Sequence, residues 1–199
     1  MDKITQYFTS CGAEFLLNRI THCQESSATS ELAAQCLKCE CSEIAKSIAI
    51  FVKSPARGKE KRKNTQNPPV AAEGPAESLA NSVSPLFPDN LFPIIIVTSG
   101  DSKILKSKFK SRFHSQLNLI SDSIVENVIG YPVGGVCPFG INSNVKVYLD
   151  VSMKRFKTIH AACGTSNTII TLTLDELEEH AQNFVEWVDV CDGWLGSQG

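Results

Sequence analysis

An α/β fold of the α+β kind, built on a mixed, largely antiparallel, barrel-like sheet flanked by helices, is the architecture this sequence predicts. Three observations carry it. Segments of helical and of strand periodicity interleave along the chain. Two apolar runs, Glu43 to Val52 and Leu91 to Val97, read as the arms of one hairpin. Hairpin-like neighbours recur late, at about Thr158 to Ala162 and Thr168 to Leu172, which a doubly wound parallel sheet would not show. The chain has 199 residues, 42% of them hydrophobic and 20% charged, enough for one sizeable core, so residues 1–199 read as a single domain.

Ile4, Tyr7, Phe8 and Cys11 recur at helical spacing, and Glu14 to Leu17 then suits a short strand. Thr29 or Ser30 caps a helix running to about Leu37. Glu43 to Val52 is a buried strand, entered by one lysine, Lys46. From about Lys53 to Asn90 the composition changes. Lys53, Arg57, Lys59, Lys61, Arg62 and Lys63 are followed by Pro, Ala, Ser and Gly with few large apolar residues, which predicts a flexible basic insertion forming an overgrown hairpin loop.

Beyond the second arm, Ser102 to His114 sets Ile104, Leu105, Phe109 and Phe113 against lysines, an amphipathic helix with one basic face. A short helix is expected near Ser121 to Val128 and a strand at Val145 to Leu149, followed by the late hairpin. Thr173 caps a last helix that starts at Leu174 and continues toward Val188.

Composition narrows the function classes. No apolar run approaches the roughly 18 residues of a membrane span, and the first residues lack the basic-then-apolar pattern of a secretory signal, so the expected compartment is the cytoplasm. The eight cysteines are therefore expected as thiols. Cys36, Cys39 and Cys41 form a C-x-x-C-x-C cluster but lack a fourth ligand at zinc spacing, and the histidines show no ligand pattern, so neither metal nor cofactor is expected. Net charge is −2. It is uneven, basic in the insertion and around Lys103 to Arg112 and acidic from Asp175 to Asp192, so a polyanion such as RNA would meet a locally basic surface.

Two features invite chemistry. Lys46 interrupts an apolar strand, where its cation either serves a phosphate or a polarised carbonyl or simply snorkels at the strand end. Gly130 to Gly140 places four glycines and two prolines in one short stretch. This is a stiff loop with exposed amides, either a structural Ω-loop or, the favoured reading, a cradle for something flat or anionic. Asp150, at a strand end, is an acid or, more simply, a cap. Cys137 and Cys163 suggest a nucleophile, but His160 and Cys163 point to opposite faces of a strand, so local spacing supports no Cys-His pair.

Taken in order, Lys46 within Ile44-Ala45-Lys46-Ser47-Ile48, Gly100-Asp101, the loop Gly130-Tyr131-Pro132-Val133-Gly134-Gly135-Val136-Cys137-Pro138-Phe139-Gly140, and Cys163-Gly164-Thr165 resemble the YbaK family of prolyl-tRNA editing domains. The resemblance covers nearly the whole chain apart from the insertion and the tail. It implies hydrolysis of the ester joining a wrong amino acid to tRNA for proline, without a protein nucleophile. Lys46 matches the family's essential lysine, expected at the terminal phosphate or the ester. Gly134 and Gly135, with Val136, Pro138, Phe139 and Gly140, match the loop facing the aminoacyl carbonyl, and Gly164 matches a glycine of the small pocket.

Thr29, Gly130, Asp150 and Thr165 complete the expected substrate contacts. The alanine-specific branch carries His-Pro where this chain has His160-Ala161, which favours cysteine as the amino acid removed, with alanine as the other candidate. The implied partners are the 3′ aminoacyl end of tRNA and prolyl-tRNA synthetase or a synthetase complex. The competing expectation is a module that keeps the fold and docks tRNA or a synthetase without turnover.

Overall fold

The computed structural model describes residues 2–53 and 90–194. Most of the expected insertion lies outside the described residues. In chain order the elements are α1 (Lys3–Ser10), β1 (Ile20–His22), α2 (Ser30–Leu37), β2 (Ile44–Lys53), β3 (Leu91–Ser99), β4 (Lys103–Ile104), α3 (Lys106–Phe113) and β5 (Asn118–Leu119). They continue with α4 (Asp122–Ile129), β6 (Lys146–Asp150), β7 (Thr158–Ala162), β8 (Thr168–Thr173), α5 (Leu174–His180), β9 (Phe184–Val188) and β10 (Cys191–Asp192).

The sheet is mixed, as expected, in the order β1-β8-β7-β2-β3-β6-β9, with β5 also pairing with β2, and a separate ribbon joins β10 to β4. β2 and β3 form the long antiparallel hairpin, Lys53 opposite Leu91 at its open end. Parallel contacts join β2 to β7, β3 to β6 and β6 to β9.

Alternation along β2 divides the interior. Ala45, Ala49 and Phe51 face the larger core, which also holds Phe8, Val125 and Phe139. Ile48, Ile50 and Val52 face a second cluster around Phe109 and Val190. Thr29 caps α2 by accepting a hydrogen bond from Leu32 N at 3.3 Å. Thr173 and Glu176 form a capping box at α5.

Three local expectations are corrected. Glu14–Arg19 is a 3-10 helix, not a strand, its one buried side chain Leu16 plugging the core. The last helix stops at His180, because Asn183 at φ 54° turns the chain into β9, whose partner β6 could not be read from local sequence. Cys23 and Cys36 form a disulfide with Cα atoms 6.0 Å apart, which removes Cys36 from the cysteine cluster. Here α2 returns its last turn to the residue after β1, a proximity that sequence spacing does not show.

The acidic and basic blocks pair with each other. Lys108 binds Asp189 at 2.7 Å and Arg112 binds Glu186, while Arg19, outside the basic block, binds Glu176 at 2.7 Å. Among the described residues no helix is long and apolar enough to cross a membrane.

Candidate active site

β2 has a gap along one edge. β7 pairs with it only at Ile44 and Ala45, and β5 only at Ile50 and Phe51. Ile120 N–H donates to the Ala49 carbonyl at 3.0 Å on that edge, so by strand alternation the N–H and C=O of Ser47 face it too. The Ser47 hydroxyl is buried and has no hydrogen-bond partner among the described residues. A cavity of about 440 Å³ occupies the gap, within the size range of small-molecule sites.

Lys46 enters this cavity at the end of the second cluster's row. Its ammonium donates to the Ser102 carbonyl at 2.6 Å and the Gly100 carbonyl at 3.4 Å, which leaves one of three N–H donors for a ligand. Burial lowers the lysine's pKa; the nearby acidic and thiol groups Cys191, Cys41, Asp101 and Glu31 oppose the shift without cancelling it.

The turn that holds the ammonium is itself fixed. Arg155 pairs with Asp101 and donates to Ser99 Oγ at 3.0 Å, while Ser102 Oγ donates to the Ser99 carbonyl at 2.8 Å. Burial would raise the Asp101 pKa, but hydrogen bonds from Arg155 and Ser99 outweigh it and hold the carboxyl below its usual range. A Cβ on Gly100 would lie 2.0 Å from the Cys41 carbonyl oxygen, so only glycine fits at that approach.

The opposite wall is the glycine loop. Gly134, at φ +81°, lines the cavity together with Val133 and Val136. A Cβ on Gly134 would stand 2.7 Å from that of Ala28, and one on Gly135 would stand 2.5 Å from the Gly164 carbonyl oxygen. The loop is thus clamped between the segment before α2 and the β7–β8 turn, with Gly164 N–H donating to the Gly135 carbonyl at 3.2 Å.

The expected site residues divide into groups. Lys46, Thr29, Gly134 and Val136 share the cavity. Gly135 lies behind it, its own N–H taken by the Pro132 carbonyl at 2.9 Å. Pro138 is buried and its carbonyl accepts from Gln182 N–H at 2.8 Å, while Phe139 is a core residue whose ring lies 5.2 Å from that of Phe8. Gly130 ends α4 at φ +105°, its carbonyl accepting from the Lys3 ammonium at 3.1 Å, and Gly140 packs against the Tyr131 hydroxyl.

Asp150 is fully buried and accepts from Ser152 N and Val190 N, each at 2.9 Å, the capping alternative rather than a cavity acid. Gly164 and Thr165 line a second cavity of about 600 Å³ with Ile4 and Tyr131, separated from the first by the Gly135–Gly164 contact. Burial pushes the Cys137 thiol up to about 12 and also raises that of Cys163, so neither is poised as a thiolate nucleophile.

Ser47, Glu31, Asp122 and His160 also line the Lys46 cavity, although no sequence pattern singles out the first three. The only local signal was position in the first turn of a helix for Glu31 and Asp122, which favours a carboxylate for its own sake. His160 Nδ1 is 2.9 Å from Thr171 Oγ1 on the neighbouring strand, and burial lowers its pKa against the opposing charge of Glu43.

Comparison with known proteins gives the family and the fold. Residues 73–180 match the family described as aminoacyl-tRNA editing domain, a stretch that begins within the expected insertion and includes the glycine loop but not Lys46. The uncharacterized protein YwhH of Bacillus subtilis (strain 168) is 34% identical over 194 residues, 98% of each chain. Two solved structures share the fold at 20% identity and TM-score 0.67. One is the hypothetical protein APE2540, covering 96% of this chain and all of that one. The other is a candidate trans-editing enzyme for prolyl tRNA synthetase, covering 96% of each. The chain belongs to the YbaK family of aminoacyl-tRNA editing domains.

Proposed function

We propose that this protein is an aminoacyl-tRNA deacylase that removes cysteine, or secondarily alanine, from mischarged tRNA for proline. The observation that carries this reading is the half-buried Lys46 ammonium, held by two carbonyls, on a residue that lines one cavity together with Gly134. A fixed cation in a partly apolar cleft stabilises charge developing on the ester carbonyl, or holds the terminal phosphate, without reorganising during the reaction. The Ser47 backbone N–H and C=O on the unpaired stretch of the β2 edge supply further hydrogen bonds for orienting the terminal adenosine.

No protein nucleophile is required in this scheme. The adenosine hydroxyl next to the ester positions water, or a cysteine substrate's thiol attacks its own carbonyl. In either case the protein contributes orientation and charge. Small side chains need such a second sieve, because lacking a methylene or two costs them only about 1–3 kcal/mol at a synthetase pocket. The apolar walls at Val125, Val133 and Val136 suit a small uncharged side chain.

The direct test is deacylation of Cys-tRNA and Ala-tRNA for proline by the wild type and by Lys46→Ala. Wild-type turnover of at least one substrate, with a loss on the order of a hundredfold in the variant, is expected. Absence of turnover with both substrates would leave tRNA or synthetase docking as the function of the fold, and an equally fast variant would remove Lys46 from the mechanism.

A further inference from the structure

The wall of the Lys46 cavity formed by residues 27–33 is tied down by a disulfide. Ser27, Ala28, Thr29, Ser30, Glu31 and Ala33 all line the cavity, and all lie within the loop that the Cys23–Cys36 bond closes. Besides this bond the wall is held by noncovalent contacts, among them the approach of Ala28 to Gly134 and the packing of Leu37 beside Ala33 and Ala34. α2 is eight residues long, too short to be stable alone, and its buried residues are two alanines, which bury little apolar area. Ser27 N–H and Oγ both donate to the Ser166 carbonyl, at 2.6 and 3.1 Å, and Cys23 N–H donates to that of Asn167 at 2.8 Å.

The two sulfurs differ in access. Cys23 is 6% exposed, while Cys36 lies on the exposed side of α2. Cys39 and Cys41 pack against the same small apolar cluster as Cys23, and burial keeps both thiols above their ordinary range, which leaves them weak competitors in exchange.

We propose that the Cys23–Cys36 pair is a redox-modification site, reduced by a dithiol, whose state sets the order of the α2 wall and so the affinity of the Lys46 cavity for its ligand. A reductant thiolate attacks the accessible Cys36 sulfur and the S–S bond breaks, releasing Cys23 as a thiolate that takes up a proton. The reductant's second thiol then closes its own disulfide and expels Cys36, which also takes up a proton. Two electrons and two protons have passed to the protein. In the oxidised form the wall is pinned at both ends. In the reduced form it remains attached only by the Cys23 and Ser27 hydrogen bonds, the approach of Ala28 to Gly134 and the packing of Ala33, Ala34 and Leu37, with no covalent tie at the end of α2.

The identification of the cavity as the substrate site rests on the proposed function; the ordering of the wall does not. The test uses the full chain, oxidised, reduced with dithiothreitol, and as Cys36→Ser, with hydrogen exchange followed by peptide and with binding of a non-hydrolysable cysteinyl-amide analogue of the terminal adenosine. Exchange over residues 24–35 should quicken roughly ten- to a hundredfold on reduction and in the variant, while β2 and β3 stay protected. Affinity for the analogue should fall roughly five- to tenfold, and oxidised glutathione should reverse both changes in the reduced wild type.

Unchanged exchange at 24–35, or equal quickening throughout the chain, overturns the inference, because the bond would then be idle or a staple of the whole fold. If neither redox state hydrolyses mischarged tRNA, the proposed function fails, and the exchange pattern still decides the inference about the wall.

Discussion

Replacing Gly135 by alanine should damage both stability and activity, by amounts the structure sets. The added Cβ would stand 2.5 Å from the Gly164 carbonyl oxygen, 2.7 Å from its carbon and 2.9 Å from Thr165 N, where ordinary contact begins at 3.4 Å. All three are backbone atoms, so no rotamer change relieves the clash. The loop must move off the β7–β8 turn by most of an ångström. Overpacking of this kind costs about 1–3 kcal/mol. Loss of the 3.2 Å hydrogen bond from Gly164 N–H to the Gly135 carbonyl adds about 1 kcal/mol.

Together these give about 2–4 kcal/mol, read as a lower urea midpoint with an unchanged slope. Gly134 and Val136, on either side, would shift in the cavity wall, and a misplacement of that size lowers turnover by up to about a hundredfold. Deacylation of Cys-tRNA for proline under single-turnover conditions measures the second effect. A variant within about 0.5 kcal/mol of wild type and equally fast would refute the reasoning, because the clamp between the two loops would then be loose.

Three further outcomes are expected. Binding of a phosphate-bearing adenosine analogue should persist at neutral pH and weaken as pH rises, with a midpoint below the 10.5 of an ordinary lysine, since burial depresses the Lys46 pKa and the ammonium exists only below it. Lys46→Arg should move that midpoint upward, and calorimetric affinity that stays flat beyond 10.5 contradicts the assignment. Asp150→Ala strands the N–H groups of Ser152 and Val190 in the interior, a loss of about 2–5 kcal/mol in urea unfolding, and retention of full stability would show that water replaces the carboxylate. Deleting residues 54–89, which carry Arg57, Lys59, Lys61, Arg62 and Lys63, should weaken tRNA binding and flatten its salt dependence by roughly 0.7–0.9 log unit for each phosphate no longer neutralised, whereas an unaltered salt slope in filter binding excludes a role in grasping tRNA.

Much of the fold was legible because its signals are local. The apolar runs of β2 and β3, the Thr29 and Thr173 caps and the glycines of the 130–140 loop each declare themselves within a few residues, and the structure realises both strands and both caps at those positions. The parallel contacts of β6 with β3 and β9 were not legible, because nothing in a strand's own residues names a partner distant in sequence. The same limit hid the end of α5, where a helix-like run of apolar residues instead completes the sheet as β9.

The site divides along the same line. A lysine in an apolar strand and a loop dense in glycine are sequence facts, and with Gly100-Asp101 and Cys163-Gly164-Thr165 they carried the family resemblance and directed attention to Lys46 and Gly134. Only the tertiary structure decided that Lys46 is gripped by the Gly100 and Ser102 carbonyls, that Gly135 and Phe139 serve packing, and that Gly164 opens on a different cavity. It also joined Cys23 to Cys36. Periodicity and composition report how a residue relates to its chain neighbours, whereas a cavity is made by edges and turns that meet across the sheet, and their distances follow from packing the whole core at once.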